Sequence, residues 1–302
     1  MNLRQTIRHA AADRVAAHRR PRVLPVLMWA YVVWSLVPVA IAVLFSFNDG
    51  RSRTVWQGFS LRWWTGDPNA SLLHDESLRT ATINSLVLAA LTIIITLPLG
   101  TALAVGTYRW RSRGSTSANS LVTAPVITPE LVVGASLLLV FTHLYAMIPL
   151  GLPAQLLGHI TFNLSAVVVT IRARLAMIGG SYEEAARDLG ASRMQAVRFV
   201  LLPLLQPAIV ASVVIVFATS IDDFVISSFL STGAASETVP VRIYGAVRSA
   251  SSPSLNALAT LLVLISITAL FLGIVALWAI RRRQGENVSL RTVLAEVTQA
   301  DA

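Results

Sequence analysis

Ser181-Tyr182-Glu183-Glu184-Ala185-Ala186-Arg187-Asp188-Leu189-Gly190-Ala191-Ser192-Arg193-Met194-Gln195-Ala196-Val197-Arg198-Phe199-Val200-Leu201-Leu202-Pro203 joins two long apolar stretches, and the architecture can be worked out from it. Ser181 with Glu184 three residues on has the capping-box arrangement, which predicts a helix start. Ala185, Ala186 and Leu189 favour helix, and Gly190 can end it in a left-handed conformation. A second helical piece carries Val197, Val200 and Leu201 toward the apolar run that follows. Ala185, Ala186 and Gly190 leave little side-chain bulk, so another protein can approach this short helix closely. The residues describe a docking element held at a membrane surface.

On either side the chain is written for a bilayer. It is 55% hydrophobic and 13% charged, where a soluble domain averages about 25% charged. A span needs about 20 apolar residues to cross about 30 Å of hydrocarbon. Six stretches meet this, at roughly Val23–Phe47, Ala81–Thr107, Ser120–Thr142, Gln155–Ile178, Leu202–Leu230 and Leu255–Ile280. The fourth is the least clean, because it carries His159, Thr161 and Asn163. The expected fold is all-α and polytopic: a basic tail at 1–22, a six-span domain at 23–280 whose inward loop is 179–202, and a second tail at 281–302.

Orientation follows from the arginines, which supply all 24 cations. Eighteen fall in 1–22, 108–119, 172–201 and the tail from 281, and six fall in 48–80 and 231–254. The positive-inside rule puts both tails and the 179–202 loop on the cytoplasmic side of the membrane. The basic flanks account for the +9 net charge without nucleic acid as a partner. The first apolar stretch is too long for a signal-peptide core and reads as an uncleaved anchor. The outside segments 48–80, with Trp56, Trp63 and Trp64, and 231–254 are open to two readings, short interfacial helices or plain loops.

Ionisable groups inside a span cost at least about 2.5–3.5 kcal/mol and usually face a bundle interior or water. Three acidic residues lie inside spans, Glu130 in the third and Asp222 and Asp223 in the fifth. Glu130 lies among Pro125, Pro129 and Gly134, where a kink exposes backbone groups that a carboxylate could satisfy. On a continuous helix Thr219, Ser220, Ser227 and Ser231 share a face with Asp223, and Asp222 lies about 100° away. No cationic side chain is expected in the core to neutralise this stripe. An anionic stripe with Phe224 and Phe229 nearby suits a cationic solute whose methylenes meet aromatic faces. The structural alternative is that the acids cap helix breaks or bond to neighbouring hydroxyls.

Glu184-Ala185-Ala186, three residues, Gly190, nine residues, then Val200-Leu201-Leu202-Pro203 resembles the EAA loop of binding-protein-dependent ABC importer permeases, with Val200 replacing Ile. Ser220-Ile221-Asp222-Asp223-Phe224, Asn84-Ser85, Pro129-Glu130, His159-Ile160-Thr161-Phe162 and Pro240-Val241-Arg242-Ile243-Tyr244 are similar to the second permease subunit of the spermidine/putrescine importers. The resemblance implies a type I importer fold with a core of spans two to six and the first span packed on a partner. It implies that Glu183, Glu184, Ala185, Ala186, Asp188, Gly190, Leu202 and Pro203 couple to an ATPase. It further implies a substrate path through Glu130, Thr219, Asp222, Asp223 and Ser227. The expected partners are a second permease subunit, an ATPase dimer, an extracytoplasmic binding protein and the lipid bilayer.

Other chemistry is poorly supported. The chain has no cysteine, no paired-His metal spacing and no Walker A sequence. No cofactor of its own is expected, ATP being bound by a partner. His9, His18 and His74 read as solvated, and His143 and His159 as packing residues near span ends. An ion-coupled secondary transporter would show repeats and broken helices in both halves. An intramembrane protease is disfavoured because Asp222 and Asp223 point about 100° apart on one helix.

Overall fold

The computed structural model describes residues 23–52, 55–110, 114–249 and 253–283. The basic tail at 1–22, with His9 and His18, and the tail from 284 lie outside these residues. Eleven α-helices are present among the described residues: α1 (Val23–Phe45), α2 (Glu76–Arg109), α3 (Ser115–Ile127), α4 (Glu130–Leu139), α5 (Leu152–Ile178), α6 (Ser181–Asp188), α7 (Arg193–Ala196), α8 (Leu202–Ile221), α9 (Val225–Leu230), α10 (Val239–Ser249) and α11 (Ser254–Arg283). Five apolar elements are long enough to cross a membrane, and α3 with α4 makes a sixth if the bent pair is one span.

That pair corrects the expectation of one span over Ser120–Thr142. The two helices meet at 105°. Pro129 has no N–H to continue the ladder and drives the residue before it out of the α region. Thr128 accordingly has φ −77° and ψ 132°. The fifth span is also interrupted. It was expected to run from Leu202 to Leu230, but α8 stops at Ile221 and α9 begins at Val225. At the N-terminal end of this span α7 continues through a π-helical turn, Val197–Leu201, into α8. The last helix runs to Arg283, past the expected Ile280, so the first residues of the second tail extend the span.

α2, α5 and α8 pack on one another, α11 packs on α8, and α1 lies outside on α11. The central seam contains Ala104, Val167, Val168, Ile171, Leu175, Leu201, Leu205 and Val216, all buried. A second cluster around Phe141, Ala154, Ile226 and Leu230 holds α9 against α5 and the end of the bent third span. α1 has no buried residue, as fits a peripheral first span.

Close approach of these helices depends on missing side chains, the small-residue packing of membrane bundles. A Cβ at Gly100 in α2 would come 2.6 Å from Val167 Cγ1 in α5, and one at Gly158 in α5 would come 2.7 Å from Ile226 Cγ2 in α9.

The outer segments are built rather than loose. Trp63 is buried in a single π-helical turn, Arg62–Gly66, and donates from Nε1 to the Asn48 carbonyl at 2.7 Å. The backbone N–H of Asn69, then the Arg62 guanidinium, hold the Asp67 carboxyl below the usual carboxylate range. The segment after α9 is pinned to two spans. Asn84 donates to the carbonyls of Ala235 and Glu237, Ser85 accepts from Val239 N, and Gln155 donates to the Ser236 carbonyl. Asn84-Ser85 therefore serves to hold this outer turn. Gly100→Val should destabilise the α2–α5 seam by about 1–3 kcal/mol through overpacking. A lowered thermal midpoint of the detergent-solubilised protein would register it, and an unchanged midpoint would contradict the packing described.

Candidate functional site

A break in a helix inside hydrocarbon exposes backbone groups that water cannot reach, at several kcal/mol each. The break at 222–224 is repaired by its own acid. Asp223 Oδ1 accepts from Ile226 N at 3.3 Å and Oδ2 from Ser227 N at 2.8 Å, which satisfies the first turn of α9. The Ser227 hydroxyl adds a bond to Oδ2 at 2.7 Å. One of the two readings weighed for the sequence, an acid that caps a helix break, thus describes Asp223.

Asp223 also has a partner on another helix. His159 Nε2 of α5 lies 3.0 Å from Asp223 Oδ2 and 3.1 Å from Ser227 Oγ, and Nδ1 lies 2.8 Å from Ser220 Oγ. In a neutral imidazole, Nε2–H donating to the carboxylate leaves Nδ1 to accept from the Ser220 hydroxyl. His159 is 1% exposed. This corrects one expectation: His159 lies seven residues inside α5, not at a span end. Asn163, one turn further along, continues the polar line. It donates to the His159 carbonyl at 2.9 Å and accepts from the Thr219 hydroxyl. The signal was the i, i+4 spacing of His159 and Asn163, which puts both on one face of the least apolar span.

The five substrate-path residues separate accordingly. Glu130, Thr219, Asp222 and Asp223 line one cavity of about 440 Å³ with Phe162, Ala218, Phe224 and Val225. Glu130 opens α4 at the bend of the third span and lines the same cavity as Asp223. The two broken spans therefore meet at one point. Asp222 is exposed to the cavity, whereas Asp223 is 8% exposed. Ser227 is fully buried on Asp223 and His159 and does not line the cavity. Ser231 leaves the stripe altogether and bonds to Ser236 in the outer turn. Phe224 packs on Tyr244 of α10 with ring centroids 4.6 Å apart, tying the break to the outer surface.

The 181–203 loop forms as two short helices, with different caps from those expected. α6 starts one residue earlier: the Gly180 carbonyl accepts from the N–H groups of Glu183 and Glu184, and Ser181 makes no side-chain cap. Gly179, at φ +71°, turns the chain into this start. The capping box lies instead at Ser192 and Gln195, where each side chain bonds the other's backbone N–H. Ser192-x-x-Gln195 was the overlooked signal. Gly190 has φ +90°, the left-handed end anticipated for this helix. Of the eight residues expected to couple to an ATPase, Glu183 pairs with Arg109 at the end of α2 and so faces the bundle. Glu184, Ala185, Asp188, Gly190 and Leu202 are exposed, and Ala186 and Pro203 are half-buried. Tyr182, Leu189 and Met194 project from the surface, Leu189 with 91% of its area exposed.

The family profile of binding-protein-dependent transport system inner membrane components matches residues 96–284. The chain belongs to this family. It is an inner-membrane permease component of an ABC importer, a transport subunit and not an enzyme. The spermidine/putrescine transport system permease protein PotC of Escherichia coli (strain K12) is 38% identical over 240 residues, 80% of this chain and 88% of that protein. The putrescine transport system permease protein PotI of the same organism is 38% identical over 74% of this chain and 80% of its own length. The fold is that of a bacterial ABC transporter involved in the import of alginate, with a TM-score of 0.67 at 17% identity over 89% of this chain and 99% of that one.

A side chain at Gly190 would be strained by backbone conformation, since the left-handed region costs an ordinary residue about 1–2 kcal/mol. Nothing crowds a Cβ there. Gly190→Ala should therefore lower the permease's ATP-driven uptake while leaving its amount in the membrane unchanged. Full uptake in that variant would show that this left-handed turn does not matter.

Proposed function

We propose that this permease forms half of the path of an importer for polyamines such as spermidine or putrescine. The carrying observation is the cavity in which Glu130 and Asp222 face Phe162 and Phe224 at the meeting point of two broken spans. Ammonium groups match carboxylates, and methylenes between them match aromatic faces. Like charges gathered in a cavity repel, and a cation seated among them relieves that repulsion. The names of the PotC and PotI relatives support the same cargo class.

The permease pairs in this reading with a second permease subunit, and an external binding protein delivers the cargo to the outward side. Both tails and the 179–202 loop face the cytoplasm. Two ATPase subunits bind the nucleotide, because the chain has no Walker A sequence. Tyr182, Leu189 and Met194, with the small residues Ala185 and Gly190 between them, form the docking face, and the exposure of Leu189 supports it as the anchor. Glu183 keeps α6 attached to α2 through Arg109. Motion of the docked loop passes through the π-helical turn at Val197–Leu201 into α8, whose far end is the break at Asp222.

Two measurements test this. Asp222→Asn or Glu130→Gln should each raise the KM for radiolabelled spermidine about tenfold, equivalent to about 1.4 kcal/mol. An unchanged KM in both would exclude the cation path. Leu189→Asp should abolish co-purification of the ATPase with the permease, and retention of the ATPase would exclude Leu189 as the anchor.

A further inference from the structure

The path described above does not use His159, yet this side chain touches both halves of the fifth span. Nδ1 reaches Ser220, the penultimate residue of α8. Nε2 reaches Asp223 within the break and Ser227 in the first turn of α9. Those contacts bridge a helix interruption from a separate, unbroken span. Burial makes them strong, because an unmet polar group there has no water to turn to.

The geometry points to His159 as a positioning residue for transport. It clamps α8 to α9 across the break and commits Asp223 to internal bonds, which leaves Asp222 and Glu130 as the carboxylates presented to cargo. The inference rests on the polyamine-path reading and adds a division of labour to it. Asp223 accepts two backbone N–H groups, the Ser227 hydroxyl and the imidazole. Little of its bonding capacity remains for an ammonium group. Asp222 makes no comparable set of bonds: its backbone N–H continues α8 to the Ala218 carbonyl at 3.3 Å, and its side chain faces the cavity. Its direction is therefore set by the angle of the break, which the imidazole holds.

Gly158 fits this arrangement. It precedes His159 and admits Ile226 of α9 at a distance no side chain would allow. The imidazole can reach Ser227 only because α9 lies that close to α5.

The test uses ATP-driven uptake of radiolabelled putrescine by the assembled transporter in membrane vesicles, with the amount of complex measured alongside. His159→Leu should raise KM at least tenfold. His159→Gln, which keeps one donor and one acceptor, should recover to within threefold of the parent. Ser220→Ala and Ser227→Ala, small changes that fold readily, should each raise KM three- to tenfold. In Asp223→Asn, where the buried charge that needs the imidazole is gone, adding His159→Leu should raise KM by less than threefold. If His159→Leu assembles and keeps the parental KM, the positioning role is overturned. It is also overturned if His159→Gln is as poor as His159→Leu while both hydroxyl variants are unchanged. Loss of the cation path is read separately: there Asp222→Asn and Glu130→Gln keep the parental KM, whatever His159 does.

Discussion

Backbone inside a bilayer must find its hydrogen bonds within the protein. Two spans of this permease are nonetheless broken, one bent by 105° at Pro129 and one interrupted at 222–224. The Asp223–His159 contact makes the second break tenable, since the carboxylate repairs the start of α9 and the imidazole fixes the carboxylate. Both breaks reach the same place, where Glu130 at the head of α4 and Asp223 line one cavity. A polar centre built in this way can hold a charged solute without opening the apolar seam formed by α2, α5 and α8.

The same arrangement offers a route for force. α8 has 20 residues, about 30 Å at 1.5 Å per residue. Its N-terminal end is continuous with the 181–203 loop and its C-terminal end is the break. As one continuous helix, with Pro207 inside it, it would deliver a displacement of the loop to Asp222 as a change in the angle of the break. Phe224, packed at a tilt on Tyr244, would carry that change to α10. In the proposed reading, docking at the 181–203 loop and cavity geometry are joined by one helix and one aromatic contact.

Much of this could be read in the residues. The apolar runs gave the spans, and Glu184-Ala185-Ala186 with Gly190 gave the loop helix and its left-handed end. The cost of burying charge singled out Glu130, Asp222 and Asp223. What was illegible came from treating spans as continuous helices. A helical wheel drawn through 222–224 placed Ser231 beside Asp223, whereas the break moves it to the outer turn. The same assumption hid His159, whose partners come from both sides of an interruption that hydrophobicity does not record. Serine misled in the loop for a local reason. Gly179 and Gly180 begin α6 before Ser181 can cap it, so the hydroxyl that does cap belongs to Ser192.

The most direct test of the central claim is an experimental structure of the intact transporter trapped with spermidine in its path. The account predicts an ammonium group between Asp222 and Glu130, with the imidazole of His159 still bonded to Asp223. Cargo bonded to Asp223 in place of His159, or seated away from this cavity, would contradict it.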